Sequence, residues 1–292
     1  MTRPRKRTQT REALVFVGPF VIAYLVLFIY PTVKMVELSF TNAPLVGGGR
    51  WVGFANYLRL GRDTLFLQSV GHTIYFVVLT VVPTTLLGLL IAMAVLRLHG
   101  RLQSLVLAAF FLPYVLPVSV VYRIWEWMLD PQFGVAQYPV RLLLGHSVAM
   151  WADPLWAMPS VAFITIWWTN GFNVLLFIAG LRNISQDVMD AAALDGARAF
   201  ARFRYIVWPL IWPVTALVLT IQLILQLKIF DQIYLMTVGG PFNSTFVVVQ
   251  YIYKQAFQSN HGGYGATVAV ALFVAIAALS ILQFQAVRAR SA

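Results

Sequence analysis

Six long apolar runs, almost free of charged residues, constrain this chain more than any other feature of its sequence. A helix needs about 20 mostly apolar residues to cross the hydrocarbon core of a bilayer. None of the runs alternates polar and apolar residues as the strands of a membrane β-barrel do. The sequence therefore predicts an all-α integral membrane protein with six spans, at about residues 13–30, 73–96, 102–128, 155–181, 208–236 and 264–286.

The composition agrees with a bilayer as the main solvent. Hydrophobic residues make up 60% of the 292 residues and charged residues 11%, and a soluble protein of this size does not hide so much apolar surface. The net charge of +11 does not indicate nucleic-acid binding, because the basic residues are not gathered on one polar face. They are better interpreted as signals of membrane orientation.

Orientation follows from the excess of Lys and Arg in cytoplasmic loops. A cytoplasmic N-terminus places thirteen basic residues on the cytoplasmic side: Arg3, Arg5, Lys6, Arg7, Arg11, Arg97, Arg101, Arg182, Arg198, Arg202, Arg204, Arg288 and Arg290. It places six on the other side: Lys34, Arg50, Arg59, Arg62, Arg141 and Lys254. Both termini are therefore predicted to be cytoplasmic.

The chain is predicted to form one membrane domain, residues 13–287, between short cytoplasmic tails at 1–12 and 288–292. The first apolar run is followed by FIYPTVKM, which is a poor cleavage site for a signal peptide, so the run is interpreted as a retained span. The sequence has no cysteines, and its four histidines lack metal-site spacing. No metal and no cofactor are predicted.

One predicted cytoplasmic loop, residues 182–209, is charged, compact and rich in helix formers. In NISQDVMDAAALDG, Ser185 suits the N-cap position, Asp187 suits the first turn, and Asp195-Gly196 is a stop signal. A second amphipathic stretch, ARAFARFRYI, leads to Pro209. The loop is either a solvated hairpin or a docking element, and the flat, close-packing face of the alanines favours docking into a partner.

This loop resembles the EAA loop of ABC importer permeases. The spacing of that motif is met by Asp190, Ala191, Ala192, Gly196, Ile206 and Pro209. Asp190 stands where glutamate is usual, which keeps the charge but shortens its reach, and Trp208 stands where leucine is usual.

The resemblance extends over most of the chain and is to the carbohydrate branch, the maltose- and glycerol-phosphate-type permeases. It includes WVGFANY in the first outer loop, NGFNVLLFIAGLRNIS before the EAA-like loop, and FDQIYLMTVGGPFNSTFVVVQYIY after it. It implies the fold of a type I, MetI-like importer permease, with six transmembrane helices and a cytoplasmic coupling-helix loop.

The resemblance also implies an assembly in the bacterial cytoplasmic (inner) membrane. Its expected members are a second permease subunit in a heterodimer, two ABC ATPase subunits, a periplasmic or lipid-anchored sugar-binding protein and a carbohydrate substrate, surrounded by membrane lipid. The residues expected to couple the chain to the ATPase are Asp190, Ala191, Ala192, Asp195, Gly196, Ile206 and Pro209.

ATP hydrolysis is expected on another subunit, so this chain is not expected to be an enzyme. A phosphate-binding loop needs GxxxxGK followed by Ser or Thr. The four lysines are followed instead by Arg, Met, Ile and Gln, without the preceding glycines.

Amides inside the spans are the candidates for substrate contact. Asn and Gln offer a sugar both donors and acceptors, but they also bond one membrane helix to another, and the sequence leaves both roles open. The candidates are Asn170, Asn173, Gln222 and Gln226.

Two charged pairs lie near the outer ends of spans. Arg123 and Glu126, and likewise Lys228 and Asp231, are three residues apart, which favours a local ion pair on one helix face. The prolines expected to kink spans are Pro83, Pro113 and Pro117.

Two other classes of protein compete with the importer. An ion-gradient-driven secondary transporter would show inverted repeats or broken helices with intramembrane carboxylates, and only Glu126 and Asp231 are available. A membrane-embedded enzyme would need a catalytic cluster in the spans, and the sequence has none. The predicted function is the permease subunit of an ATP-driven, binding-protein-dependent sugar importer.

Overall fold

The structure, a computed structural model, describes residues 6–291, with side chains over residues 15–285. In this part of the chain the backbone is almost entirely helical, and an isolated antiparallel bridge joins Thr41 to Trp51. The predicted tails at residues 1–12 and 288–292 lie outside the described side chains.

Fourteen α-helices follow one another in the described residues. They are α1 (Lys6–Tyr24), α2 (Tyr30–Ser39), α3 (Ala55–Leu60), α4 (Thr64–Val95), α5 (Gly100–Val115), α6 (Val118–Met128), α7 (Gln137–Leu144), α8 (Pro154–Arg182), α9 (Gln186–Leu194), α10 (Ala199–Arg202), α11 (Trp208–Leu227), α12 (Asp231–Met236), α13 (Val248–Tyr253) and α14 (Gly262–Ser291). Three further turns are π-helical: Leu25–Ile29, Phe203–Val207 and Lys254–Gln258.

Five continuous helical stretches of the described chain are long and apolar enough to cross a membrane. They are Val15–Ser39, Thr64–Val95, Pro154–Arg182, Ala199–Leu227 and Gly262–Gln285. A sixth crossing is present if α5 and α6 count as one bent span.

The segment predicted as the third span is broken between α5 and α6, which are bent by 103°. The break falls at Leu116-Pro117, where proline has no N–H to donate and pushes the preceding residue out of helical conformation. Leu116 is accordingly extended, with φ −72° and ψ 137°. The other two prolines expected to kink spans, Pro83 and Pro113, remain inside α4 and α5.

The second half of the charged loop is not a separate amphipathic element. From Ala199 the chain is helical through α10, the π-helical turn at Phe203–Val207 and α11, as far as Leu227. ARAFARFRYI therefore forms the first turns of a spanning helix, and only α9 stands apart as a short helix of the loop.

The described chain divides into two compact units, of which the first contains residues 6–63 and 252–274. In this unit the WVGFANY segment closes the end of α2. The Asn56 side-chain amide donates to the carbonyl oxygens of Ser39 and Thr41, at 3.0 and 2.8 Å. The ring of Trp51 stacks on Phe40, with centroids 5.2 Å apart.

The second unit, residues 64–251 and 275–291, contains the helices that position the candidate site. In it α8 packs against α4, α5 and α11, and α11 also packs against α4. One apolar cluster of this unit includes Phe76, Trp125 and Ile233, and a second includes Leu89, Phe177 and Ile211.

Close packing of α5 against α8 depends on Gly171. A Cβ at this position would overlap the carbonyl oxygen of Phe110 and lie 2.7 Å from the Phe111 Cα. Small residues at helix contacts let membrane helices approach closely, and here the backbone of α5 occupies the space of the missing side chain.

We expect Gly171→Ala to destabilise the protein by about 2 kcal/mol or more, because backbone atoms cannot yield as side chains do. Thermal unfolding in detergent, followed by size-exclusion chromatography, measures the effect. Gly71→Ala is the matched control, since a Cβ at Gly71 on α4 meets nothing within 4 Å. Equal melting temperatures for the two variants would contradict the packing argument.

Candidate functional site

A chain of buried amides links α11 to α8. Gln226 Nε2 donates to Gln222 Oε1 one turn earlier on α11, at 3.0 Å, and Gln222 Nε2 donates to Asn173 Oδ1 on α8, at 2.9 Å. All three side chains are buried. Burying an amide costs free energy unless it is hydrogen-bonded, and here the partners belong to two helices.

A third helix, α4, packs closely against these amides because it has a glycine, Gly88, at the contact. A Cβ at Gly88 would lie 3.0 Å from the Asn173 Cβ and 3.1 Å from Asn170 Oδ1. Asn170 is buried, and among the described residues its Oδ1 has no hydrogen-bond partner, nor has Asn173 Nδ2. Asn170, Asn173 and Gln222 therefore lie at the packed contact of α4, α8 and α11.

A cavity of about 490 Å³ lies next to this contact. Three aromatic and two aliphatic residues form part of its wall, and five residues with polar or charged side chains form the rest. Its lining residues are Tyr114, Trp168, Thr169, Leu225, Gln226, Lys228, Ile229, Phe230, Asp231 and Gln232. Of the four amides proposed from the sequence, only Gln226 is among these residues.

The aromatic walls of the cavity are fixed by the broken helix. Trp168 Nε1 donates to the carbonyl oxygen of Leu116 at 3.1 Å, which satisfies one of the acceptors left at the end of α5. Tyr114 stacks on Phe172, with ring centroids 5.4 Å apart. These contacts hold both rings beside the cavity.

The charged wall exists because α11 ends at Leu227. Lys228 leaves the helix, Phe230 adopts φ −144° and ψ −60°, and α12 begins at Asp231. Ile229 between them is buried in the apolar cluster that contains Phe76 and Trp125. The turn is therefore anchored, and Lys228 and Asp231 lie at its surface.

The ion pair predicted between Lys228 and Asp231 is not present among the described residues. The prediction assumed one continuous helix, and the break between α11 and α12 removes the shared helix face. The equivalent prediction for Arg123 and Glu126 is confirmed, because both lie on α6 with Arg123 Nη1 2.7 Å from Glu126 Oε2.

The sequence did not single out six of the lining residues: Tyr114, Thr169, Leu225, Ile229, Phe230 and Gln232. Their positions follow from the two helix breaks, at Leu116-Pro117 and at Lys228–Phe230. The sequence did contain signals of these two breaks: Pro117 for the first, and the charged residues within LKIFD for the second.

A second cavity of the same unit, of about 450 Å³, has a different character. Apolar and aromatic side chains such as Trp125, Val140 and Phe163 line it, and the hydroxyl of Ser160 in its wall donates to Met150 Sδ. The cavity beside Gln226 is therefore the better match for a hydroxylated solute.

The exposed loop helix α9 begins and ends with regular capping. The Ser185 side chain accepts from the Asp187 backbone N–H at 3.2 Å, as expected for an N-cap. At the other end, the Ala197 N–H donates to Ala192 O and the Gly196 N–H to Ala193 O, at 3.0 and 3.1 Å. This double pattern is a Schellman motif.

Gly196 makes this ending possible because its φ is +74°. Left-handed conformation is unfavourable for residues with a Cβ, and glycine lacks one. The position is otherwise open, since a Cβ there meets nothing within 4 Å. Gly196 is therefore required by backbone geometry and not by crowding.

The surface of α9 is small and apolar, with acidic residues around it. Ala192 is only 7% exposed, whereas Leu194 is 91% exposed and Val188 and Ala191 are also exposed. Asp190 is exposed and accepts from Gln186 Nε2 at 2.9 Å.

The remaining residues of the EAA-like motif lie where the loop enters the spanning helix. Ile206 is half-buried in the π-helical turn, and Pro209 follows that turn as the second residue of α11. The Arg202 side chain donates from Nε to the carbonyl oxygen of Ala197 at 2.9 Å. This bond ties the end of α9 to the start of the long helix.

In the part of the chain that the structure describes, no group of three or more His, Cys, Asp or Glu side chains is placed to hold a metal ion. His72 lies near a backbone carbonyl, with Nδ1 3.1 Å from Phe246 O.

Residues 84–291 match the family described as binding-protein-dependent transport system inner membrane component. This match covers the cavity, the amide chain and α9, and it extends over more than half of the chain. The protein belongs to this family of multi-pass transport permeases of the inner membrane.

Curated relatives match along nearly the whole length. The sulfoquinovosyl glycerol transport system permease protein SmoG of Agrobacterium fabrum is 28% identical over 280 residues, covering 95% of this chain and 91% of SmoG. The arabinooligosaccharides transport system permease protein AraP of Halalkalibacterium halodurans is 29% identical over 271 residues, covering 92% and 85%.

A solved structure shares the fold. It is the bacterial alginate ABC transporter in complex with an alginate pentasaccharide-bound periplasmic protein, and one chain of it matches with a TM-score of 0.83 and 20% sequence identity. The match covers 95% of this chain and 94% of the other. The predicted all-α, MetI-like permease fold is confirmed.

We expect a direct energetic coupling between Asn173 and Gln222, because their amides bond across two helices. A double-mutant cycle with Asn173→Ala and Gln222→Ala should give about 0.6 kcal/mol, in the range of other membrane interhelical bonds. Unfolding in mixed micelles measures each variant. Thr220→Ala replaces Gln222→Ala in the control cycle, which should be additive because the Thr220 hydroxyl donates to Ala216 O of its own helix.

Proposed function

We propose that this chain is the transmembrane permease subunit of an ATP-driven, binding-protein-dependent sugar importer. The observation that carries the proposal is α9, an exposed, capped helix between the two long helices that hold the amide chain. The helix exposes the apolar side chains of Val188, Ala191 and Leu194, and short connections join it to α8 and to the long helix Ala199–Leu227.

The surface of α9 suits the groove of a cytoplasmic ATPase subunit. The small side chain of the exposed Ala191 allows close approach, Ala192 packs inward against the chain itself, and the side chain of Leu194 would be covered on docking. Asp190 and Asp195 would meet basic groups of the partner. Such an arrangement, with a small apolar centre and charges at its edge, is typical of protein interfaces.

Movement of the docked helix would reach the cavity through α11. Ala199–Leu227 is helical throughout, so at about 1.5 Å per residue it spans roughly 40 Å. Arg202 binds the end of α9, and Gln226 lines the cavity near the other end of α11. A two-state element biased at one end by ATP binding can therefore change access at the other.

The hydrolytic step belongs to the partner and not to this chain, which lacks the phosphate-binding pattern at each of its lysines. The complete transporter would contain a second permease subunit, in a heterodimer, two ATPase subunits and a periplasmic or lipid-anchored sugar-binding protein. The excess of basic residues in alternate loops supports cytoplasmic termini.

The cavity supports a sugar as the substrate. Tyr114, Trp168 and Phe230 offer faces to the C–H surfaces of a sugar ring, and Gln226 offers an amide to its hydroxyls. The names of the two relatives and of the alginate transporter refer to sugars or sugar polymers. We assign Gln226 to substrate contact, and Asn170, Asn173 and Gln222 to the helix contact beside it.

We expect Gly196→Val to insert normally but to lose most ATP-dependent uptake, because a β-branched residue is strained at a φ of +74° by about 1–2 kcal/mol. Gly196→Asn is the matched control, since asparagine tolerates this conformation. Gly145→Val places the same strain at the end of α7, where φ is +78°. If uptake is normal in Gly196→Val, α9 has no coupling role.

A detergent pull-down tests the assembly directly. Tagged wild type should bring an ATPase and a second permease, identified by mass spectrometry, and an Asp190→Lys, Gly196→Val double variant should lose the ATPase. The Gly145→Val variant should keep it. Recovery of no ATPase under conditions that preserve the complex would instead favour a gradient-driven carrier.

We expect Gln226→Leu to reduce sugar uptake by about tenfold, the effect of one lost hydrogen bond of about 1.4 kcal/mol, while the complex still assembles. Uptake by cells that carry the complete system measures this. Gln68→Leu is the control, because Gln68 is an exposed residue of α4 outside the lining of the cavity. Unchanged uptake by Gln226→Leu would move the substrate site elsewhere.

A further inference from the structure

The cavity beside Gln226 carries one positive and one negative side chain that do not neutralise each other. Lys228 and Asp231 both line it, both are exposed, and within the described chain neither has an ion-pair partner. Together they give the cavity wall both signs of charge and no net charge. Such a wall offers a donor and an acceptor to an uncharged polar ligand and no net attraction to a charged one.

The backbone determines where the two charges lie. Ile229, 3% exposed, anchors the turn between them in the apolar cluster. Phe230 stacks on Tyr234, with ring centroids 5.2 Å apart. The turn cannot swing away from the cavity without exposing these groups, so a ligand meets both charges together.

A hydroxyl group matches this wall because it both donates and accepts. The Lys228 ammonium offers three donors, the Asp231 carboxylate accepts, and the Gln232 amide does both. Gln226 Nε2 is engaged with Gln222, so its Oε1 is left as an acceptor. Several hydroxyls on one uncharged molecule can satisfy all of these groups without adding a net charge.

We propose that this cavity selects uncharged saccharides and discriminates against acidic ones, with Asp231 as the residue that rejects a carboxylate and Lys228 as the residue that balances it. This inference rests on the proposed function. A uronate or sulfonate in the cavity meets the Asp231 carboxylate as a like charge, and an amino sugar meets Lys228 in the same way. Family membership does not decide this question, since the similar alginate transporter imports an acidic polysaccharide.

The test is calorimetric titration of the assembled transporter in nanodiscs. The sugar-binding protein is left out, so that the measured preference among sugars belongs to the membrane subunits alone. The probes are maltose, cellobiose and trehalose, each compared with the matched sugar in which one C6 hydroxymethyl is oxidised to a carboxylate. Wild type should bind at least one neutral sugar about tenfold more tightly than its acidic counterpart, because the carboxylate loses hydration and the wall has no net positive charge to compensate for the loss.

Two variants test whether Asp231 and Lys228 cause the preference for the neutral sugar. Asp231→Asn should tighten binding of the acidic sugar by about tenfold, with little change for the neutral one. Lys228→Gln should further weaken binding of the acidic sugar, because it removes the positive charge that attracts the carboxylate. Glu37→Gln, which removes a carboxylate from the exposed Lys34–Glu37 pair of α2, should leave both affinities unchanged.

The outcomes separate the two proposals. Equal or tighter binding of the acidic sugar by wild type, with loss in Lys228→Gln, overturns the charge selection but leaves a sugar importer. An Asp231→Asn variant with unchanged preference overturns the role of Asp231. Absence of binding by every saccharide, or of a copurifying ATPase, overturns the proposed function itself.

Discussion

Every backbone N–H and C=O inside a bilayer needs a partner within the protein, and the architecture follows from that requirement. It explains why the described chain is helical almost throughout. It also explains how the chain tolerates a break between α5 and α6, since the Trp168 indole donates to the carbonyl of Leu116 at the broken end. The same tryptophan lines the cavity. One side chain therefore both satisfies a backbone carbonyl at the helix break and forms part of the cavity wall.

The long helix that ends in α11 connects the loop helix α9 to the cavity beside Gln226. At its start, Arg202 holds the carbonyl of Ala197 at the end of α9, and near its end Gln226 lines the cavity. The amide bond from Gln222 to Asn173 ties this helix to α8 between those points. In the proposed importer, a displacement of α9 would therefore act on two helices that are bonded to each other, which favours movement of the pair over independent bending.

Buried amides show why polar residues in a span cannot be interpreted individually. Asn173 and Gln226 have the same chemistry, but one lies inside a helix contact and the other lines a cavity. The difference is set by Gly88, which brings α4 against Asn170 and Asn173, and by the end of α11 at Leu227, which opens space beside Gln226. In the proposed importer, selection among solutes would then depend on the few groups left at the cavity wall.

The sequence by itself determined the all-α membrane fold, because runs of about 20 apolar residues have few other stable forms. It also determined α9, since Ser185 and Gly196 are local capping signals that act within a few residues. It could not determine that Lys228 and Asp231 are separated by a helix break, or that Tyr114 and Trp168 face the same cavity. Those facts depend on contacts between residues far apart in the chain, through the anchoring of Ile229 and the bond from Trp168 to Leu116, and only the tertiary structure decided them.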